Sequence, residues 1–450
     1  MDAQTAPVRR VPLQTKIVFA MGSAAEMIAL TSVGGFALFY YNQVLGMSAT
    51  MAGLAMSISL LFDGLADPLI GSLSDRTRHK LGRRHPYLYM APIPIAISLI
   101  GVFNPPAGMP HLWLFFWFTA FVLSLRVFMA MYHTPHLAMV AEMSPDYTER
   151  SRILSWNTLF SFAGRSGTTF VALSLFFHKT EEYPRGLLNP DAYAPFAYTG
   201  AGLCVALLLA SAWFTRDQIP RMRHVPDHIK PFSFVEFFKD VGAAVSNRNY
   251  FFLLIGLFFI SLTTGLTVSL ALYINTYLWQ LPSEQIRWLE AGTLIGFVLG
   301  FFVTAKFHDR FGKRTALVVC SSVSSASYSI PIVLWLTGLL PVQSNPYLMP
   351  ILIACAALTA LAGCGMTISG MSAMADIADE NELRIGRRQE AYFIPHARCS
   401  RSSILRSASS SPAWRSTSYT FRARRRRAPW NSTPWCSSPG STVRSQRSQA

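Results

Sequence analysis

The chain has 450 residues, 51% hydrophobic and 14% charged, with a formal net charge of +16 and a mean hydropathy of +0.31. Soluble domains carry about a quarter charged residues, so this composition excludes an ordinary soluble globular protein. The charge is also unevenly spread: +11 of it lies in residues 397–450, leaving +5 for residues 1–396.

A hydrocarbon core of about 30 Å takes about 20 mostly apolar residues per helix. Ten segments meet that need, at about 17–41, 48–72, 87–104, 111–134, 152–177, 194–214, 250–278, 289–305, 315–338 and 347–374. The first run is too long for the apolar core of a cleavable leader, so none is expected. Lys and Arg collect on alternate connections: at the N-terminus (Arg9, Arg10, Lys16), after segment two (Arg76, Arg78, Lys80, Arg83, Arg84), and after segments four, six, eight and ten. Cytoplasmic loops retain such residues. The pattern predicts an integral plasma (inner) membrane protein with a cytoplasmic N-terminus.

Segment one carries Glu26, and segment two carries Asp63 and Asp67. Residues four apart share a helix face. Near the bilayer middle each carboxylate costs several kcal/mol unless paired, hydrated or bound to a cation, so the pair is read as a cation-coupling site facing segment four. Asp75 follows, with Arg76, Arg83 and Arg84 across a turn that Gly82 can bend; this predicts a clasp that sets a cytoplasmic gate. Segment four adds Arg126, His133 and His136. Arg126 and His133 lie two turns apart on one face, and Pro135 deprives the Met131 carbonyl of its helical donor. Segment five adds Trp156, Asn157 and Arg165. Trp156 and Asn157, with Trp117 and Tyr132, offer the aromatic platforms and amide groups a sugar site uses, or serve as packing. The last four segments hold no ionisable residue near their middles and contribute Thr263, Thr264 and Asn275. Charge chemistry therefore belongs to the first half, where three carboxylates face two arginines and the excess negative charge suits one bound cation.

Two halves echo each other. SDRTRHKLGRR follows segment two and HDRFGKR follows segment eight; EMSPDYTER follows segment four and DIADENELR follows segment ten. Repeats placed this way mark two six-helix bundles around a central cavity. The division is residues 1–215 for the first bundle, 216–249 for a cytoplasmic connection and 250–396 for the second bundle. Helices eleven and twelve are due next, yet residues 397–450 hold eleven Arg, fifteen Ser and no Asp, Glu or Lys. That abrupt change predicts a reading-frame shift near residue 396 and a disordered tail, rather than a nucleic-acid or anionic-lipid site at RARRRR. Four cysteines inside apolar segments are read as small packing residues. No metalloprotease, nucleophile-elbow or phosphate-loop pattern argues for an enzyme.

FDGLADPLIGSLSDRTRHKLGRRHPY, YHTPHLAMVAEMSPDYTERSRI and DIADENELRIGRRQEA resemble the glycoside–pentoside–hexuronide:cation symporters of the major facilitator superfamily, over about residues 12–395. The resemblance implies an all-α, two-bundle membrane protein, here with ten evident helices. It implies symport of a sugar or glycoside with H+ or Na+, with no other cofactor and no nucleic-acid partner, by a monomer among membrane lipids. Asp63 and Asp67 match the family's cation-binding aspartates, where a Na+ would also sit, and Glu26 matches its sugar-contacting acid. His133 stands where the melibiose permease has an acid before a proline, which favours H+. Arg126, His136, Trp156 and Asn157 complete the expected substrate site. The family's helix-eleven lysine has no counterpart in the tail. A lysolipid or other amphiphile carrier and an inactive frame-shifted product remain the alternatives.

Overall fold

The structure, a computed structural model, describes residues 11–144, 146–221, 248–340 and 346–385. Ten long helices run through it, and no strand occurs among the described residues. They are α1 (Leu13–Thr31, extended by π turns Ser32–Ala37 and Tyr40–Val44), α2 (Ala49–Arg76), α3 (His85–Met90 and Pro92–Phe103), α4 (His111–Met143) and α5 (Tyr147–Val171, with a π turn Ala172–Phe176). Next come α6 (Tyr193–Phe214), α7 (Arg248–Tyr273, with a π turn Ile274–Leu278), α8 (Ser283–Phe311), α9 (Lys313–Leu336) and α10 (Leu348–Ile385).

Among the described residues, nine helices are long and apolar enough to cross a bilayer. The chain is an integral membrane protein. The helix outside that set is α5, where a tenth apolar span was expected. It is helical over the expected range but carries Arg150, Arg152, Asn157 and Arg165. The reason is its position, packed against α1 on one side and α8 on another. A spanning helix needs apolar side chains only where lipid touches it.

Helix ends depart from the apolar boundaries because backbone hydrogen bonding continues where hydropathy stops. Thus α2 runs on to Arg76 and α10 to Ile385. At its start α2 is capped, the Ser48 hydroxyl accepting from the Met51 N–H at 3.3 Å. Between α8 and α9 the chain turns at Gly312, whose φ of +78° disfavours any residue with a Cβ.

In the first half α1 packs on α5 and α6, α2 on α4, and α3 on α4 and α6. A Cβ at Gly164 would stand 2.9 Å from the Ala24 Cα, so this glycine is what lets α5 approach the α1 backbone. In the second half α8 and α9 pack on α10. Gly292, Gly296 and Gly300 recur every four residues along α8 and meet the α10 backbone; a Cβ at Gly300 would lie 2.7 Å from the Leu361 carbonyl oxygen. Small residues in this spacing replace the hydrophobic effect, which does not operate between helices in lipid, with close van der Waals contact. Along α2, Leu60, Leu61, Phe62, Leu65 and Leu69 are exposed, Leu61 by 73%. The expectations for residues 397–450, and most of the 216–249 connection, lie outside the described residues.

The start of α1 is pinned to the start of α5. Glu149 Oε1 accepts from the Val11 N–H at 2.9 Å and lies 2.6 Å from Lys16 Nζ, while Arg152 reaches Glu149 Oε2 at 3.5 Å. The hydrogen bond from Lys16 is the main reason the Glu149 carboxyl is held below the usual carboxylate range; burial opposes it, and the Val11 N–H and the nearby cations assist. A depressed carboxylate adds stability above its unfolded pKa, about 4.3, and loses it as pH falls through the lower folded value. The Glu149→Gln chain is therefore expected to be less stable at neutral pH and to show a shallower loss of thermal stability below about pH 4.3. Melting of the purified protein in detergent across that range checks this; parallel curves for parent and variant would show that Glu149 contributes no linkage.

Candidate functional site

The charged groups of the first half converge on α4. Asp63 and Asp67 both turn toward it: Arg126 Nη1 donates to Asp63 Oδ2 at 3.3 Å, and the Thr134 hydroxyl donates to Asp67 Oδ1 at 3.0 Å. From α1, Glu26 Oε2 lies 2.8 Å from His133 Nδ1. The three carboxylates thus meet three different α4 partners: a fixed cation, a titratable ring and a neutral hydroxyl. Asp63 retains 33% side-chain exposure and His133 retains 22%, so the layer is reachable from water. Glu26 is buried. The expected closeness of both aspartates to α4 is present, and His133 on the same helix meets Glu26 of α1. Among the described residues no group of three or more His, Cys, Asp or Glu is arranged to hold a metal ion.

The remaining expected substrate residues divide. Asn157 accepts a short hydrogen bond from the Ser23 hydroxyl, which ties α5 to α1 three residues before Glu26. Trp156 is half-buried, with Phe160 as its ring neighbour at 6.3 Å. His136 departs from its expected role. It is 1% exposed, donates from Nε2 to the Phe19 carbonyl oxygen at 3.0 Å, and stacks on Phe19 at 3.9 Å. One helical turn from His133, it points into the α1 contact and acts as packing. Tyr132 is fully buried, and the half-buried Trp117 donates its indole N–H to the Gly101 carbonyl oxygen at 2.8 Å.

At the end of the bundle marked by the α2–α3 turn, charges interlock. Arg84 is 1% exposed and donates to Asp75 at 2.5 Å, to the Ser74 hydroxyl at 2.6 Å and to Glu142 at 3.1 Å. Arg83 Nη2 reaches the same Glu142 oxygen at 2.6 Å. Gly82 supplies the turn at φ +74°. Asp75 therefore points into the clasp, as expected, while Arg76 ends α2 with an exposed side chain. The centre of the cluster is Glu142, which sequence reasoning passed over. Its signal was an acid at the end of α4 in EMSPDYTER, set against a connection rich in arginine. Thr134 was also missed, because a threonine in an apolar helix usually bonds its own backbone.

Residues 18–397 match the family model described as MFS/sugar transport protein. The chain belongs to the glycoside–pentoside–hexuronide:cation symporters of the major facilitator superfamily. The match ends where the Arg- and Ser-rich stretch begins. An uncharacterized symporter of Synechocystis is 29% identical over 36% of this chain and 31% of its own length. The isoprimeverose transporter of Lactiplantibacillus pentosus is 22% identical over 36% of this chain and 33% of its own. The chain's match thus spans about a third of the length of these relatives. The xylose transporter of Escherichia coli, solved in a partially occluded inward-open form, shares the fold with a TM-score of 0.54 at 13% identity, over 86% of this chain and 93% of that one.

Proposed function

We propose that this symporter-family chain couples entry of a sugar or glycoside to a cation by alternating access, with H+ favoured over Na+. In this reading it lies in the inner membrane with its N-terminus cytoplasmic, and its bundles are residues 1–215 and 250–396. The observation that carries the reading is the unequal partnering of the carboxylate layer. Asp63 already holds the Arg126 guanidinium, an internal cation in the place where a Na+ would sit. Asp67 faces only the neutral Thr134 hydroxyl among its described hydrogen bonds. Two carboxylates on one half-buried face repel, and a proton on either removes that cost. His133 gives the layer a second proton acceptor, linked to Glu26. Substrate bound beside the layer favours the loaded state, and by reciprocity each ligand raises the other's affinity equally.

Residues 397–450 are read as a frame-shifted segment, so the transport experiment uses a gene whose frame is restored after residue 396. Membrane vesicles carrying that protein are given labelled sugars, glycosides and a lysolipid under a pH gradient or a Na+ gradient. A sugar or glycoside should accumulate with the pH gradient, up to about tenfold per pH unit for one proton, with no response to Na+. Accumulation driven by Na+ would overturn the coupling assignment, and lysolipid uptake without sugar uptake would establish an amphiphile carrier instead.

A further inference from the structure

Between the start of α3 and the end of α6 lies a groove that takes no part in the carboxylate layer. Tyr89, Leu209, Ala210, Trp213 and Phe214 line this cleft of about 440 Å³. Trp213 is 52% exposed and Phe214 61%, and Met90, Ile93 and Ile97 of α3 are exposed as well. In a membrane protein such an apolar surface faces lipid. The Tyr89 hydroxyl donates to the Ala212 carbonyl oxygen at 3.3 Å and so ties the two helices together. Just beyond, the Thr215 hydroxyl lies 3.3 Å from His85 Nε2, which puts the groove at the same end of the bundle as the Arg84 and Glu142 cluster. A tyrosine and a tryptophan at helix ends suit the headgroup level of a bilayer.

The groove carries a fixed charge at its rim. Arg216 follows α6 by two residues, and its guanidinium carbon lies 3.9 Å over the centre of the Trp213 ring. Stacking holds a guanidinium by its face and leaves the N–H edge for an acceptor. Among the described residues no hydrogen bond or ion pair occupies that edge. Asp217 is exposed beside it, but the α2–α3 turn at this end adds exposed Arg76, Arg78 and Lys80, so the local balance is cationic. An apolar cleft with such a rim calls for a ligand that is apolar along its length and anionic at one end. A free phosphate would leave the cleft unfilled. A zwitterionic headgroup would bring its own cation into a region already positive.

We propose that the α3–α6 groove binds an anionic phospholipid, with acyl chain against Trp213 and Phe214 and the headgroup phosphate on Arg216. The site goes beyond the transport reading and holds whatever the substrate. The full chain is placed in vesicles of mixed phosphatidylglycerol and phosphatidylcholine, with bromine on the acyl chains of one lipid or the other. Quenching of Trp213 is taken as the difference between each chain and the same chain carrying Trp213→Phe. Brominated phosphatidylglycerol should compete for this position about fivefold better than brominated phosphatidylcholine. Arg216→Gln should bring that preference below about twofold. Ala210→Phe, which fills the cleft, should do the same, and Arg216→Gln at its exposed position keeps the test decisive if Ala210→Phe does not fold. Arg310→Gln, at an exposed arginine of α8, should leave the preference unchanged. Equal quenching by the two lipids in the parent would reduce the groove to an ordinary lipid contact and overturn the site. So would a preference that survives Arg216→Gln or a folded Ala210→Phe, or one lost equally in Arg310→Gln, the result that overall charge gives.

Discussion

Replacing either aspartate of the α2 pair is expected to uncouple transport. In the frame-restored protein, Asp63→Asn and Asp67→Asn should each reduce uphill accumulation to simple equilibration. Exchange of labelled for unlabelled substrate should persist in part. The asparagine keeps the volume of the carboxylate and one acceptor oxygen, and removes the charge and the group that binds a coupling proton. The two variants should differ in a second way. Asp67→Asn leaves Thr134 with an amide oxygen to meet, whereas Asp63→Asn leaves the Arg126 guanidinium in a half-buried layer without its 3.3 Å partner. A charge left alone inside a membrane helix costs about 2.5–3.5 kcal/mol at the bilayer centre, less where water reaches it. Asp63→Asn should therefore also lower thermal stability, and adding Arg126→Gln should recover part of that loss. Uptake under a fixed pH gradient, with melting measured on the same preparations, reads both effects. If either single variant still concentrates substrate like the parent, the pair is structural and coupling resides elsewhere.

The second large effect is expected at Glu142. One carboxylate oxygen of this residue serves Arg83 at 2.6 Å and Arg84 at 3.1 Å, and Arg84 is almost sealed from water. Removing one partner of a buried ion pair is far more damaging than the net worth of the pair, because the remaining charge stays desolvated; typical losses are about 3–5 kcal/mol. Glu142→Gln is placed at the lower end of that range, since Asp75 and Ser74 still hold Arg84. The variant should melt earlier and expose the 77–84 turn to trypsin, which cuts after its arginines and lysine. Asp75→Asn should do less, because Asp75 engages one arginine and is the more exposed acid. Equal melting of parent and Glu142→Gln would mean that water or another group already satisfies both guanidinium ions.

Much of this protein follows from its sequence alone, for a physical reason specific to membranes. A span in lipid must be long, apolar and internally hydrogen-bonded, so helices such as Leu13–Val44 or His111–Met143 show in composition alone. The cost of burying Asp63, Asp67, Glu26 and Arg126 makes each of them conspicuous in the same way. The i, i+4 spacing that puts Asp63 and Asp67 on one face is likewise local. Tertiary structure decided the pairings, because partners 63 or 107 residues apart leave no periodic trace: Arg126 with Asp63, and His133 with Glu26. It also separated His133 from His136. The two are three residues apart on α4, yet one reaches the carboxylate layer and the other is stacked on Phe19. Glu142 stands at the end of an apolar run, where an acid is cheap and uninformative, and only helix packing brings it against arginines. Even the polarity of α5, a poor membrane span on composition, makes sense once α1 and α8 are seen on either side of it. Lipid acts on each helix separately and is written into every segment, whereas specific contacts depend on which helices meet.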